Sequence, residues 1–199
     1  HTRTAAEING VSLDKVTKEM RNAAKAVNFG VLYGMGSTSL AHNTGFSRDE
    51  ARVFIEKYFV VYKQLAEFVE QTKALARSMG YVETLFGRRR YLPEIKSGMP
   101  QVRAGAERMA VNHPVQGTAA DIIKMAMIRI HGITESQNHR ITRMILQVHD
   151  ELVFEVPKDA VVEVSRMIRD TMEHIVKLSV PLKVEIETGP SWGELKPYG

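Results

Sequence analysis

The chain has 199 residues, 27 Lys and Arg against 23 Asp and Glu for a formal charge of +4, and no cysteine. That length suits one domain or two small units sharing a core, and 44% hydrophobic with 25% charged residues excludes a disordered or collagen-like chain. The absent thiols exclude a disulfide scaffold, a thiolate metal site and cysteine catalysis; no apolar run approaches the ~18 residues of a membrane span, and no charged-then-apolar leader opens the chain, so the cytosol is the expected compartment.

Residues 1–10 give no clear pattern. Ser12 and Asp14 open a helical one that runs through Tyr33 and stops at Gly34 and Gly36. Ser37 to His42 reads as a short helix. Ser47 followed by Glu50 has capping-box spacing and starts a helix to about Val60. An amphipathic stretch from Tyr62 to Met79 ends at Gly80, where a C-cap prefers glycine. Tyr81 to Leu85 predicts a short strand, Gly87 a turn and Tyr91-Leu92 a return strand, followed by a loop over 94–100. Val102 to His131 is a long helical stretch with a bend or break expected at Pro114. Ile141–Val148 and Leu152–Val156 are two strands around a polar tip. A helix then runs from Lys158-Asp159 to about Leu178, and Leu182–Glu187 alternates as a last strand. The scattered methionines read as core, and Ser191-Trp192-Gly193 reads as a terminal packing anchor. The expected class is α+β, mainly helical first and then a small antiparallel sheet with helices.

Charge is divided unequally. Residues 1–113 carry 17 basic and 11 acidic side chains (+6), and residues 114–199 carry 10 and 12 (−2). This suits a chain that grips a polyanion with its first part and holds cations with its second.

Arg21, Lys25, Phe29 and Tyr33 recur every fourth residue, a spacing that overshoots a helical turn by about 40° and so makes a slowly winding stripe. Its order is cation, cation, ring, ring. A nucleoside triphosphate needs those partners in that order: charge for phosphates, flat apolar surface for sugar and base. Two exposed cations beside two core aromatics remain the alternative. Gly30 costs ~1 kcal/mol against alanine inside a helix. It leaves room for a bulky group or a pivot, or it packs against a neighbouring helix.

Together, Arg21-x-x-x-Lys25-x-x-Asn28-Phe29-Gly30-x-x-Tyr33-Gly34 fixes seven positions in fourteen residues. This run resembles the fingers-helix motif of family A DNA polymerases, the bacterial polymerase I type. Three further segments agree in order, so the resemblance covers essentially the whole chain. It implies that Arg21 and Lys25 hold the triphosphate of an incoming dNTP, with Lys25 also placed to protonate departing pyrophosphate. His1, in His1-Thr2-x-Thr4-Ala5, matches the family histidine on the same phosphates. Phe29 would pack on sugar and base, a form associated with rejecting dideoxynucleotides. Tyr33 would stack over the template position and step aside as the helix closes.

Gln147-Val148-His149-Asp150-Glu151-Leu152 places two acids at the tip between two apolar strands. Adjacent carboxylates repel unless a cation neutralises them, and hard divalent ions suit oxygen ligands; an exposed polar turn is the alternative. The segment resembles the family's second catalytic motif. That implies two Mg²⁺ ions, with Mn²⁺ a substitute, about 3.5–4 Å apart for attack of a primer 3′-hydroxyl on the α-phosphate. Asp150 is the main metal ligand and Glu151 a supporting one. The family's first catalytic motif, with its further aspartate, would lie upstream of His1, so the isolated segment is not expected to polymerise.

Gly87-Arg88-Arg89-Arg90 is a cation cluster beside a turn, suited to phosphates or to solvent. Arg108, Asn112 and Gln116 again repeat every fourth residue. Their segment resembles the palm-proximal helix of the family, which meets template and primer. Asn and Gln can donate to minor-groove acceptors, which report pair shape more than sequence. Arg90, Arg108, Asn112, Gln116, Gln147 and His149 are the expected DNA contacts, Asn112 alternatively serving structure near Pro114.

The expected organisation is a fingers subdomain over 1–100 and the C-terminal part of a palm over 101–199. The parent would be a DNA-directed DNA polymerase working as a monomer in the nucleoid of a bacterium. Its partners would be primer-template DNA, dNTP and the remainder of its own chain, with no membrane. A non-catalytic nucleic-acid-binding module and a metal-dependent phosphohydrolase are the alternatives from other classes.

Overall fold

The computed structural model describes residues 1–32, 34–136 and 142–198, without the side chains at 31, 32 and 136. The chain divides into two compact units, His1–Gly117 and Thr118–Gly199. The class is α+β: seven α-helices and three two-stranded antiparallel hairpins among the described residues.

In the first unit, residues 1–10 are not patternless but form α1 (Thr2–Asn9), closed by Gly10 at φ 64°. Its buried side chains are Thr4, Ala5, Ala6 and Ile8, too small and too few to stand out as a periodic signal. The helix expected from Ser12 to Tyr33 is divided. A 3-10 turn covers Leu13–Lys15, Val16 is extended at ψ 114°, and α2 spans Lys18–Leu32. Thr17 makes the break. Its hydroxyl accepts from the Met20 N–H at 3.2 Å and its carbonyl accepts from Arg21 at 3.0 Å, the bonding of an N-cap. The expected end at Tyr33 lies outside the described residues.

Helix α3 spans Ser37–Thr44 and α4 spans Arg48–Val61 behind a complete capping box. The Ser47 hydroxyl accepts from the Glu50 N–H at 3.2 Å, and the Glu50 carboxylate accepts from the Ser47 N–H at 2.8 Å. Helix α5 spans Lys63–Met79 and ends at Gly80 with φ 76°, a left-handed conformation that suits glycine. One core joins α1 to α4 through Ala5, Ile8, Ala23, Ala24, Val27, Leu40, Ala51, Phe54 and Tyr58. Four alanines in that set let the helix backbones approach closely.

Strands β1 (Tyr81–Glu83) and β2 (Arg89–Tyr91) pair antiparallel, Tyr81 opposite Tyr91 and Glu83 opposite Arg89. Thr84 and Leu85 fall in the connecting turn rather than the strand, because the Thr84 hydroxyl accepts from the N–H groups of Phe86 and Arg88 at 3.3 and 3.1 Å. The segment expected as loop contains a 3-10 turn at Pro93–Lys96. Helix α6 runs over Pro100–Ser136 with Pro114 inside it, so of the expected bend or break the break does not occur. Proline deletes one N–H donor there, and the remaining hydrogen-bond ladder carries the helix on. A second core of Ala76, Val82, Leu92, Ile95, Ala106 and Ala110 holds α5, the hairpin and the first turns of α6 together.

In the second unit, β3 (Arg143–Val148) pairs antiparallel with β4 (Glu151–Glu155). The register shifts between Met144 and Leu146, a bulge at Ile145. Helix α7 covers Val161–His174, shorter than the expected reach to Leu178. Ile130, Val164 and Ile168 form the core, with Met144, Leu152 and Phe154 packed on it. The last expected strand, Leu182–Glu187, is also shorter. Only Glu187 joins β5 (Glu187–Thr188), which pairs with β6 (Lys196–Pro197). The alternation survives as burial, Leu182, Val184 and Ile186 being half-buried between exposed neighbours. The Val184 N–H goes to the Glu173 carboxylate at 3.0 Å instead of a strand. Trp192 is 53% exposed in the turn Trp192–Glu194, so it does not anchor the terminus as expected.

Candidate nucleotide and nucleic-acid site

Helix α2 separates its two faces by residue size. Ala23, Ala24 and Val27 are buried, whereas Arg21, Lys25 and Phe29 face solvent, Phe29 at 55% exposure. Arg21 and Lys25 form no ion pair with any described residue. Of the predicted stripe, the two cations and the first ring therefore share an open surface. Tyr33 lies outside the described residues.

His1 joins that surface from α1. Its ring lies 5.5 Å from the Phe29 ring, tilted 53° to it. Asn28, one residue from Phe29, contacts His1 Nδ1 through its amide nitrogen at 3.1 Å and donates to Thr4 Oγ1, also at 3.1 Å. Asn28 was a motif position without a role in the sequence. Its place next to a ring, one turn beyond Lys25, was the available signal. At Gly30 an added Cβ would fall 2.5–2.7 Å from Met35 side-chain atoms, so the space is filled by Met35, which lies outside any helix, and not by a neighbouring helix. At Gly34, φ is 67°, and a Cβ would overlap the Arg108 side chain of α6.

The basic turn is pinned on α6. The His113 ring nitrogen Nε2 bonds the Arg88 carbonyl at 3.2 Å, and Gly117 leaves room for Thr84. Arg89 is committed internally, donating to Glu83 at 2.7 Å and lying 4.6 Å from the Tyr81 ring centre. Arg90 donates to the Met109 sulfur at 3.0 Å, next in sequence to the exposed Arg108. Arg90 of β2 thus rests against α6 at the residue that follows Arg108. Asn112 turns its donor to Gln116 Oε1 at 3.4 Å, leaving its own Oδ1 buried without a partner.

In the second unit, His149 and Asp150 form a two-residue tip between the paired Val148 and Glu151. His149 has φ 51°, the single non-glycine residue with positive φ among those described. Histidine tolerates this region better than branched residues, but such a conformation costs about 1–3 kcal/mol. The Gln147 amide donates to the His149 carbonyl at 2.6 Å and clamps the turn. Asp150 and Glu151 are exposed and form no ion pair among the described residues.

The chemistry of these two carboxylates suits a hard divalent cation. Their number does not complete a site: among the described residues no group of three or more His, Asp or Glu gathers as a metal cluster. Six or more oxygen ligands are usual for such ions, so the remainder would come from water, substrate or other parts of a longer chain. Among the described residues, no helix is long and apolar enough to cross a membrane.

Comparison with known proteins shows the family of the chain. Residues 1–194 match the sequence model of DNA polymerase family A. The chain is 46% identical over 192 residues to the thermostable DNA polymerase I of Thermus aquaticus, covering 96% of this chain and 23% of that protein. It is 44% identical over 196 residues to DNA polymerase I of Bacillus subtilis, covering 98% and 22%. Its fold superposes with a TM-score of 0.85 and 41% identity on the POL domain of Pol1 from M. smegmatis, solved in complex with DNA primer-template and dNTP, over 92% of this chain and 32% of that one. The chain belongs to DNA polymerase family A. It spans 21–23% of the length of the curated relatives it matches.

Proposed function

We propose that this chain supplies the nucleotide-binding helix and part of the catalytic centre of a DNA-directed DNA polymerase. The observation that carries the reading is the open stripe of Arg21, Lys25 and Phe29, with the His1 ring beside Phe29 and both cations unpaired among the described residues. Residues 1–100 correspond to a fingers subdomain and 101–199 to the C-terminal part of a palm.

Arg21 and Lys25 bind the triphosphate of the incoming dNTP, Arg21 through its planar fork and Lys25 as a compact charge. His1 donates to the same phosphates. Phe29 takes sugar and base, and Tyr33 takes the template position. Lys25 also gives its proton to the departing pyrophosphate, which lowers the cost of charge on the leaving oxygen. Asp150 and Glu151 contribute part of a metal site. These two carboxylates would hold Mg²⁺ or Mn²⁺, and the ion would supply Lewis acidity toward the primer 3′-hydroxyl and the α-phosphate. Arg90 and Arg108 hold backbone phosphates of the primer-template, and Asn112, Gln116, Gln147 and His149 read base-pair shape from the minor groove. The enzyme works as a monomer in the bacterial cytosol, on nucleoid DNA.

Primer extension by the full-length protein is the test. Template-matched addition of dNTPs that requires a divalent metal supports the reading. Release of free phosphate from a nucleotide without primer, in place of extension, refutes it.

A further inference from the structure

The groups behind His1 form a hydrogen-bond chain whose direction is set from one end. Glu7 accepts from Arg3 Nε at 2.9 Å and from the Tyr62 hydroxyl at 2.6 Å. These contacts hold its carboxyl below the usual glutamate range, the Tyr62 bond contributing most, so at neutral pH it is a pure acceptor. Tyr62 must therefore donate to Glu7, which leaves its oxygen as an acceptor facing the Thr4 hydroxyl, whose influence on Tyr62 is that of a donor. Thr4, only 9% exposed, has then spent its proton, and its oxygen accepts from the Asn28 amide. That fixes which end of the Asn28 amide carries nitrogen. The same NH₂ group lies 3.1 Å from His1 Nδ1. A donor facing Nδ1 requires a lone pair there, so the neutral ring carries its proton on Nε2.

We propose that Asn28 is a positioning residue for His1, and that the chain from Glu7 through Tyr62 and Thr4 holds the His1 ring as the Nε2–H tautomer, beside Phe29, for donation to the phosphates of the incoming nucleotide. The proposal deepens the nucleotide role given to His1 and rests on it. It assigns function to Glu7 and Tyr62, which lie on α1 and at the junction of α4 and α5 and do not touch the His1 ring. Because a carboxylate cannot donate, replacing Glu7 by glutamine removes the directional constraint without removing a hydrogen-bonding group.

The experiment uses the full-length protein and two readouts. In primer extension, Asn28→Leu and Glu7→Gln should each raise the nucleotide KM by about three- to tenfold, the range of one lost neutral hydrogen bond, with kcat nearly unchanged. Both should be silent in a His1→Ala background. Additive effects in that double-mutant cycle would mean that the network acts by packing alone, and would overturn the proposal. Glu7→Gln changes an exposed position and keeps the fold available if Asn28→Leu does not fold. The second readout is the ¹⁵N spectrum of labelled histidine rings, with the His1 signals identified by their loss in His1→Gln. Wild type should show Nε2–H, and Asn28→Asp, which can only accept, should switch the ring to Nδ1–H. An unchanged tautomer overturns the positioning role. If His1→Ala leaves the nucleotide KM unaltered while the tautomer switches as expected, the phosphate role of His1 fails and the network stands.

Discussion

Helix α2 and the β3–β4 hairpin each carry candidate functional residues, one in each unit, and the protein supports them very differently. Helix α2 is backed by α1, α3 and α4, its small residues buried, and its functional face is left open and pre-shaped. The ring and amide beside it are tied into a hydrogen-bond network that reaches α1 and Tyr62. The hairpin is packed on one face only, where Met144, Leu152 and Phe154 meet α7 and α6, while Ile145 and Leu146 on β3 are 59% and 41% exposed. Its tip holds a left-handed histidine and two carboxylates without a cation partner among the described residues. A nucleotide-binding surface can be complete on one helix and its neighbours. A divalent-ion site needs ligands converging from several segments, and two adjacent residues do not suffice.

The largest expected effect tests the poorly supported hairpin. In the full-length protein, Asp150→Ala should slow nucleotide addition by about 10³-fold or more, the scale of several kcal/mol of lost transition-state stabilisation. Single-turnover extension with saturating nucleotide measures it. A loss below tenfold would remove Asp150 from the catalytic group. Lys25→Ala tests the better-supported helix on the same assay. It should slow the chemical step by about 10²-fold, in the range of general acid catalysis, while leaving DNA affinity nearly intact. Equal losses in rate and DNA binding would refute the proton-donor role.

A smaller effect separates function from stability at the hairpin. His149→Gly should relieve the positive φ and stabilise the hairpin by about 1 kcal/mol, while removing a side chain assigned to the minor groove. Slower amide exchange in β3 and β4, together with reduced discrimination against mispaired primer ends, is the expected pair of results. If the hairpin loosens instead, the left-handed conformation was not a cost, and the strain ascribed to the tip is wrong.

How far the sequence could foretell these differences depends on what each signal measures. The capping box at Ser47, the glycine stop at Gly80 and the glycine turn at Gly87 were legible because each rests on a local rule that the backbone obeys regardless of context. So were the Arg21–Lys25–Phe29 stripe and the two acids, since periodicity and adjacency survive folding unchanged. Helix α1 was not legible, because its buried face is mostly alanine and threonine, which score weakly as apolar, and Ile8 alone makes no period. At Pro114 the sequence left bend and break open for a related reason: the local penalty was visible and the thirty-seven-residue ladder that keeps the helix unbroken was not. The shortened final strand failed differently. Leu182 to Ile186 has the right alternation, but a strand exists only when a partner takes its hydrogen bonds, and here Glu173 takes one of them. Asn28 could be seen in the motif but not understood, because its role depends on Thr4 and His1, twenty-four and twenty-seven residues away.

The smallest expected effect concerns the network that distinguishes α2 from the hairpin, and it has a definite sign in pH. Glu7 has its carboxyl lowered in the folded state, first by the Tyr62 hydroxyl and then by Arg3. A lowered acid contributes stability above the ordinary glutamate range, near 4.3, and loses that contribution as pH falls through its folded value. Tyr62 is raised, first by burial and next by the Glu7 bond. Its contribution is full below the ordinary tyrosine value, near 10, and is lost as pH rises through the folded one. The tie between α1 and the start of α5 should therefore be firmest across the neutral range and slacken at both extremes. Amide exchange in α1, corrected for its intrinsic pH dependence, measures this directly. Protection in wild type should exceed that in Glu7→Gln near neutrality, and the two should converge as the medium becomes acid, because protonated glutamic acid and glutamine then offer Tyr62 the same choice of donor and acceptor. A difference that persists undiminished at about pH 3, below the ordinary carboxylate value, would mean that the Glu7 charge does not orient the network, and α2 would then owe its open, ordered face to core packing alone.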